Sequence, residues 1–232
     1  MKIEATPLGR IVIPPRVPEG FALFWTTIDF AGHLDAEVAR SIAEIAGISA
    51  PLASCNQVHS AVVLKAVAGA TALQKCDALW SDTRPALLAI KIADCLPVTI
   101  IDAERHVIVN IHAGWRGAAQ RITAVALDEA PVDTKNALAW LGPTIRGCCF
   151  EVGEEVVDQL RAAYGDIDPY VDRTRAKPHV DIAGITGALL RDRGFASDRI
   201  IDSGLCTRCD GSIFHSYRRG ARGGRNLAIV GQ

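Results

Sequence analysis

Three short β-branched runs, ALLAIKIA (86–93), PVTIID (97–102) and HVIVNI (106–111), constrain what this chain can fold into more than any other feature. Only a few residues separate them. A parallel pair needs a crossover of about a dozen residues, so links this short predict antiparallel neighbours. Apolar residues fill almost every position of the runs, which predicts burial on both faces rather than one wet face. Lys91, Asp94 and Pro97 break the stretch well before it reaches the length of a membrane span.

Helical spacing surrounds this core. Leu34, Val38, Ile42, Ile45 and Ala46 predict a helix over 34–48, with Asp35 in its first turn and Gly47 at its end. Further helices are expected over 118–130, stopped by Pro131, over 152–164, and over 182–193, closed by Gly194. Short strands are expected at 10–13, 21–26, 61–67 (ended by Gly69), 137–142, 199–204 and 226–231. Residues 1–20, with Pro7, Pro14, Pro15 and Pro18, read as an irregular lead-in. Strands and helices alternate without regular βαβ units. The expected class is therefore α/β, with mixed sheets covered by helices, in one domain over 1–232.

Composition narrows the function classes. A net charge of -1 argues against bulk steering toward nucleic acid or an anionic membrane. The opening residues MKIEATPLGR lack the apolar core of a secretory signal. Seven cysteines, an odd number, favour free or metal-bound thiols in a reducing, cytoplasmic setting over a disulfide framework.

Three polar residues sit where apolar runs begin or end. His59 lies in CNQVHS before the strand 61–67, Cys95 in ADCLP between two core runs, and His112 just after HVIVNI. Chain ends of this kind converge at one rim of a sheet. Two imidazoles and a thiolate suit zinc and leave a fourth position open, as catalytic zinc requires. The plainer alternative stands beside this one: a surface histidine at 59 and a small buried hydrophobe at Cys95. Around His112, Gly114 and Gly117 permit close backbone approach. The N-terminus of the helix 118–130 would favour an anion there, with Arg116 as its clamp.

The segments NQVHS (56–60), DALWSD (77–82), IADCLPVTIID (92–102), IHAGWRGAAQRI (111–122), LGPTIRGCCFEVGEEV (141–156) and CTRCDGSIFHSYRRGARGGR (206–225) run in an order that resembles the YfiH-like family. That family is also called the laccase-domain or multicopper polyphenol oxidase family. The resemblance implies a layered α/β/β/α fold and a metal site at His59, Cys95 and His112, loaded with zinc or, alternatively, copper. It also implies purine nucleoside phosphorylase activity on adenosine, inosine, guanosine and S-methyl-5'-thioadenosine, with adenosine deaminase activity beside it. The partners are then a small nucleoside and phosphate. The older oxidase label demands several coppers and many histidines, and only two of the six histidines lie in clear site motifs. A metal-free cysteine hydrolase, with Cys95 as nucleophile and His59 or His112 as base, is the competing class.

Roles follow from chemistry. Arg116, Arg218 and Arg219 are candidate phosphate contacts, because guanidinium matches phosphate geometry, and Arg225 is a weaker one. Asn56 and Gln57 either bind substrate edges or fix the His59 loop. A deaminase adds a carboxylate that shuttles the proton. Asp94 and Asp77 are the candidates for that task or for orienting a histidine, and Asp94 fits the orienting task better, since consecutive strand residues point oppositely. Glu151 is read as a helix cap. Cys206 is read as structural or site-lining and Cys209 as incidental, because no second CxxC exists to complete a four-thiolate site. The family's usual glycine-rich opening is replaced here by FWTTIDFAGHL (24–34), with Gly32 alone.

Overall fold

The computed structural model describes residues 1–30, 34–66, 74–221 and 223–232; Gly32, at the altered opening, and Gly69, the expected end of a strand, lie outside them. In chain order, the first half runs β1 (Lys2–Thr6), β2 (Gly9–Ile13), β3 (Ala22–Thr26), α1 (Ala36–Ala46), β4 (Leu52–Ser54), β5 (Val63–Lys65), β6 (Ala78–Ser81), β7 (Leu87–Ile92), β8 (Leu96–Asp102) and β9 (Val107–Ala113). The second half runs α2 (Trp115–Ala119), α3 (Ile122–Glu129), β10 (Leu138–Leu141), α4 (Glu154–Tyr164), β11 (Val171–Asp172), β12 (His179–Val180), α5 (Ile182–Asp192), β13 (Ile200–Asp202) and β14 (Asn226–Gly231).

Two mixed sheets form the centre, ordered β1-β2-β3-β14-β7-β4 and β13-β10-β8-β9-β6-β5. Trp25, Leu88, Ile90, Ala228 and Val230 of the first pack against Leu79, Ile101, Ile108 and Trp140 of the second. The outer face of the first sheet (Phe24, Leu87, Leu227, Ile229) buries Ile42 of α1. The outer face of the second (Val98, Ile100, Val109, Ile111) packs with Ile122, Val157 and Ile185 of α3, α4 and α5. The layering is thus α/β/β/α, and β8 and β9 are buried along their whole length, as their uniform apolar runs require. A polar staple crosses between the sheets: Asn110 donates to the carbonyls of Leu88 and Ala228 at 3.3 and 2.9 Å and accepts from Thr99.

The expectation that all three central runs are sheet neighbours needs correction. β8 and β9 pair antiparallel from Leu96↔Ala113 to Asp102↔Val107. β7, however, pairs with β14 and β4 in the other sheet. The link turns through Asp94, whose φ of 84° is left-handed, and so delivers the chain from one sheet to the other. The helix expected over 118–130 is also two pieces, because Arg121 adopts φ 59° between α2 and α3. In the Pro-rich lead-in, the stretch before Pro7 forms β1, paired with β2. Helix α1 keeps its expected end at Gly47 (φ 66°), while Asp35 stands one step outside as the N-cap, accepting from the N–H groups of Glu37 and Val38.

Candidate functional site

The two sheets meet at the β7–β8 link, and the site is assembled there. His112, next to last in β9, stands opposite Pro97 of β8, so β-pairing holds it two residues from Cys95. His59 sits in a turn with φ 61°, a conformation that costs a non-glycine residue about 1–3 kcal/mol and must be held by its surroundings. Asp77 supplies the hold. Its fully buried carboxylate accepts from the backbone N–H groups of Val58, His59 and Ser60 and from the Ser60 hydroxyl, at 2.7–3.2 Å. It also meets His112 Nδ1 at 2.9 Å. Burial alone would raise the Asp77 carboxyl, but His112, Ser60 and His59 together hold it well below the usual carboxylate range. A carboxylate can only accept, so Nδ1 of His112 is the donor in this contact and Nε2 is the nitrogen left for the cluster.

The side chains of His59, Cys95 and His112 converge. One donor atom from each lies within 4.8 Å of the others, and Cys95 Sγ is 3.8 Å from His59 Nε2. Tetrahedral zinc with the usual Zn–S and Zn–N bonds sets these two atoms about 3.6 Å apart, so the spacing suits a single ion. His59 is exposed while His112 is buried, which leaves the cluster open on one side. Gly114 allows the convergence: a Cβ there would stand 2.9 Å from both Cys95 Sγ and His59 Cδ2. Burial raises the Cys95 thiol, yet the His112 and His59 rings outweigh that and bring it down to about 6. Burial works against a proton on His112, but Asp77 and Cys95 lift it to about 9. A cavity of about 50 Å³ beside Cys95, lined among others by Asp94, Gly114, Trp115 and Phe150, has room for a water-sized group and none for a purine.

The other expected residues divide. Asp94 is held by other partners than the imidazoles, its carboxylate accepting from Thr207 Oγ1 at 2.6 Å and from the Arg218 N–H at 2.7 Å. It anchors the Cys95 turn rather than a histidine. Gln57 fixes its loop, exchanging 2.7 Å hydrogen bonds with the backbone of Lys91, and the exposed Asn56 bridges Lys75 through its backbone. Arg116 is exposed and stacks over Trp115 at 4.2 Å. Its helix α2 spans only Trp115–Ala119, so the long-helix dipole expected beside His112 is absent there. Arg218 lies over Phe150 and donates to the Glu151 carbonyl at 3.0 Å. Arg219 is corrected: its guanidinium serves the carbonyls of Thr207, Arg208, Gly211 and Phe214, which is the task of a loop brace. Glu151 pairs with Lys177, and Gly153 takes the cap of α4. Cys209 is not incidental, because its sulfur joins those of Cys148, Cys149 and Cys206 in a second cluster. Sequence reasoning missed this and Thr207; the adjacent Cys148–Cys149 pair was the available signal.

Fold and site define a two-sheet α/β protein with an open two-histidine, one-cysteine centre at the sheet junction. The model of the family described as "Multi-copper polyphenol oxidoreductase laccase" matches residues 27–232. A purine nucleoside phosphorylase of Deinococcus radiodurans is 36% identical over 197 residues, covering 83% of this chain and 75% of that protein. Adenosine deaminase RL5, from an unknown prokaryotic organism, is 35% identical over 167 residues, covering 68% of this chain. The chain spans only 63% of that deaminase's length. The crystal structure of Bacillus licheniformis YfiH superposes with a TM-score of 0.80 at 26% identity, covering 91% of this chain and 92% of that one. The chain belongs to the YfiH-like family.

Proposed function

We propose that the protein is a zinc-dependent purine nucleoside phosphorylase acting on adenosine, inosine, guanosine and S-methyl-5'-thioadenosine, with adenosine deaminase activity at the same centre. The observation that carries this is the convergence of His59, Cys95 and His112 within 4.8 Å, with His112 oriented by Asp77. Relatives named as phosphorylase and deaminase support the reaction class. His59, Cys95 and His112 would hold the ion, which when bound supplies Lewis-acid character at its open position. Asp77 keeps His112 in the tautomer that offers Nε2. Gly114 keeps the approach to Cys95 and His59 clear. The nucleoside lies on the open side by exposed His59, since the cavity behind Cys95 is too small for it. Arg116 and Arg218 are the phosphate contacts in this reading. In phosphorolysis a phosphate oxygen bonds to C1′ as the glycosidic bond breaks, and the base leaves with that electron pair and gains a proton. A cytoplasmic setting belongs to the same proposal, because a thiolate ligand needs a reducing one.

The second reading, a metal-free cysteine hydrolase, draws on the Cys95 thiol lowered to about 6 beside His112 raised to about 9, the charge pattern of a nucleophile next to an imidazolium. A copper polyphenol oxidase is disfavoured by the donor set, which among the described residues gathers no histidines besides His59 and His112. The test is a mass-resolved turnover assay of the purified protein on the four nucleosides, with and without phosphate. Free base appearing only with phosphate, and inosine from adenosine, are expected. Turnover that survives removal of the metal, or none at all, overturns the proposal.

A further inference from the structure

Two turns lie side by side behind the β7–β8 link. One follows β10, with Cys149 N–H donating to the Arg146 carbonyl at 2.8 Å. The other spans Cys206–Asp210, with Asp210 N–H donating to the Cys206 carbonyl at 2.8 Å. A parallel bridge between Thr144 and Cys206 holds them together, and Thr207 N–H donates to the Thr144 carbonyl at 3.0 Å. This register brings four sulfurs into one place. Cys148 Sγ is 3.7 Å from the sulfurs of both Cys206 and Cys209, and Cys149 Sγ is 3.4 Å from that of Cys209. All four lie within 4.8 Å of one another.

Those separations match the edge of a tetrahedron around one ion: Zn–S bonds of the usual length put the sulfurs about 3.8 Å apart. An iron–sulfur cluster places its own sulfide between cysteines and needs a wider cage. Burial raises the Cys206 thiol, but the backbone N–H groups of Arg146, Cys209 and Arg208 act on it and bring it below its ordinary value. Donors from the turn onto the first thiolate of a CxxC stabilise the negative charge that a ligand sulfur carries. Cationic side chains ring the turns as well: Arg175 donates to the Cys148 carbonyl and Arg219 to those of Thr207 and Arg208. Cys206 is buried, while Cys148 and Cys209 are exposed, so an ion has a way in.

We propose that Cys148, Cys149, Cys206 and Cys209 bind one zinc ion in a four-thiolate structural site, separate from the His59–Cys95–His112 cluster. Each thiol gives its proton to solvent as its Zn–S bond forms, and no redox step is involved. The ion joins the two turns, and through Thr207 and the Arg218 backbone it braces Asp94, the neighbour of Cys95.

Metal analysis of the full chain tests this independently of the proposed activity. Cys95→Ser should retain one zinc per chain, and adding Cys149→Ser and Cys209→Ser should remove it. Wild-type protein stripped and reloaded with cobalt(II) should show the intense sulfur-to-cobalt charge-transfer bands of a four-thiolate centre, a readout that does not depend on any variant folding. The proposal is overturned if Cys95→Ser is metal-free, if iron takes the place of zinc, if the cobalt bands are absent, or if intact mass without reductant reveals a disulfide among the four cysteines.

Discussion

The two clusters bring together donors far apart in sequence, yet they are built differently. The trio hangs from sheet ends: β-pairing places His112, a left-handed turn at Asp94 presents Cys95, and a buried carboxylate pins the His59 loop. The four sulfurs hang from two turns linked by a single bridge. The trio offers three donors, one exposed, and so leaves a position for a reactant. The sulfur cluster offers four donors and leaves none. Open three-ligand sites do chemistry and closed four-ligand sites hold structure. In this molecule the same contrast separates a trio set at the junction of two sheets from four sulfurs set on turns.

Removing the trio's thiolate should break the symmetry between the clusters most strongly. Cys95→Ser is expected to take nucleoside turnover below detection, while Cys149→Ser leaves turnover within a few-fold of wild type. Steady-state assays of both variants check this. Equal loss in the two would mean that the turns, not only the sheet junction, carry the chemistry.

Asp77→Asn comes next. The amide can still meet His112, but it no longer favours the Nδ1 tautomer, and it loses the charge that three backbone N–H groups and Ser60 share. Changes at such orienting partners typically cost about 10–100-fold in metal affinity or activity. Chelator competition should show that loss at the trio with no change at the four sulfurs. An unaltered trio affinity would reduce Asp77 to a loop anchor.

How much of this was legible in the chain depends on whether a feature is local. Uniform apolar filling foretold the burial of β8 and β9, and Asp35 and Gly47 bracketed α1. His59, Cys95 and His112 stood out because each interrupts or ends an apolar run. The sheet change at Asp94 and the helix break at Arg121 did not stand out, since both rest on positive φ at non-glycine residues that only tertiary contacts enforce. Asp77 was readable as a candidate but not its choice of His112, which depends on β6 lying beside β9. The sulfur cluster was hidden for the same reason. The CxxC lacked a visible partner until the Thr144–Cys206 bridge brought Cys148 and Cys149 alongside.

Thiol chemistry offers a gentler comparison. Without an ion between them, the His112 and His59 rings bring the Cys95 thiol down to about 6 against its burial, while the sulfurs of Cys149 and Cys206 push Cys209 up to about 11. At pH 7.5 Cys95 is mostly thiolate and Cys209 mostly thiol. The lower intrinsic nucleophilicity of the more acidic thiolate offsets much of that difference, leaving Cys95 about tenfold faster toward an alkylating reagent. Peptide mapping after brief alkylation measures the ratio. The Cys95 rate should rise with pH through about 6 and then level, whereas the Cys209 rate should still be climbing at pH 9. A Cys95 rate that climbs across the whole range would remove the physical basis of the hydrolase reading.

The smallest effect concerns the link between the clusters. Thr207 is fully buried, and its hydroxyl donates to Asp94 Oδ1 at 2.6 Å. Thr207→Val keeps the shape and removes that donor, leaving one oxygen of a buried carboxylate short of a partner, at a cost of about 1–3 kcal/mol. The Arg218 N–H still holds the other oxygen, so the Cys95 turn should loosen rather than collapse. The expected outcome is a lower melting temperature and, on the proposed function, a few-fold fall in kcat with little change in KM, because the turn positions Cys95 and would not touch the nucleoside. Restoring the hydroxyl with Thr207→Ser should recover most of the kcat. If Thr207→Val lowers stability but leaves kcat untouched, the four-sulfur turns brace the fold alone, and the two clusters work independently.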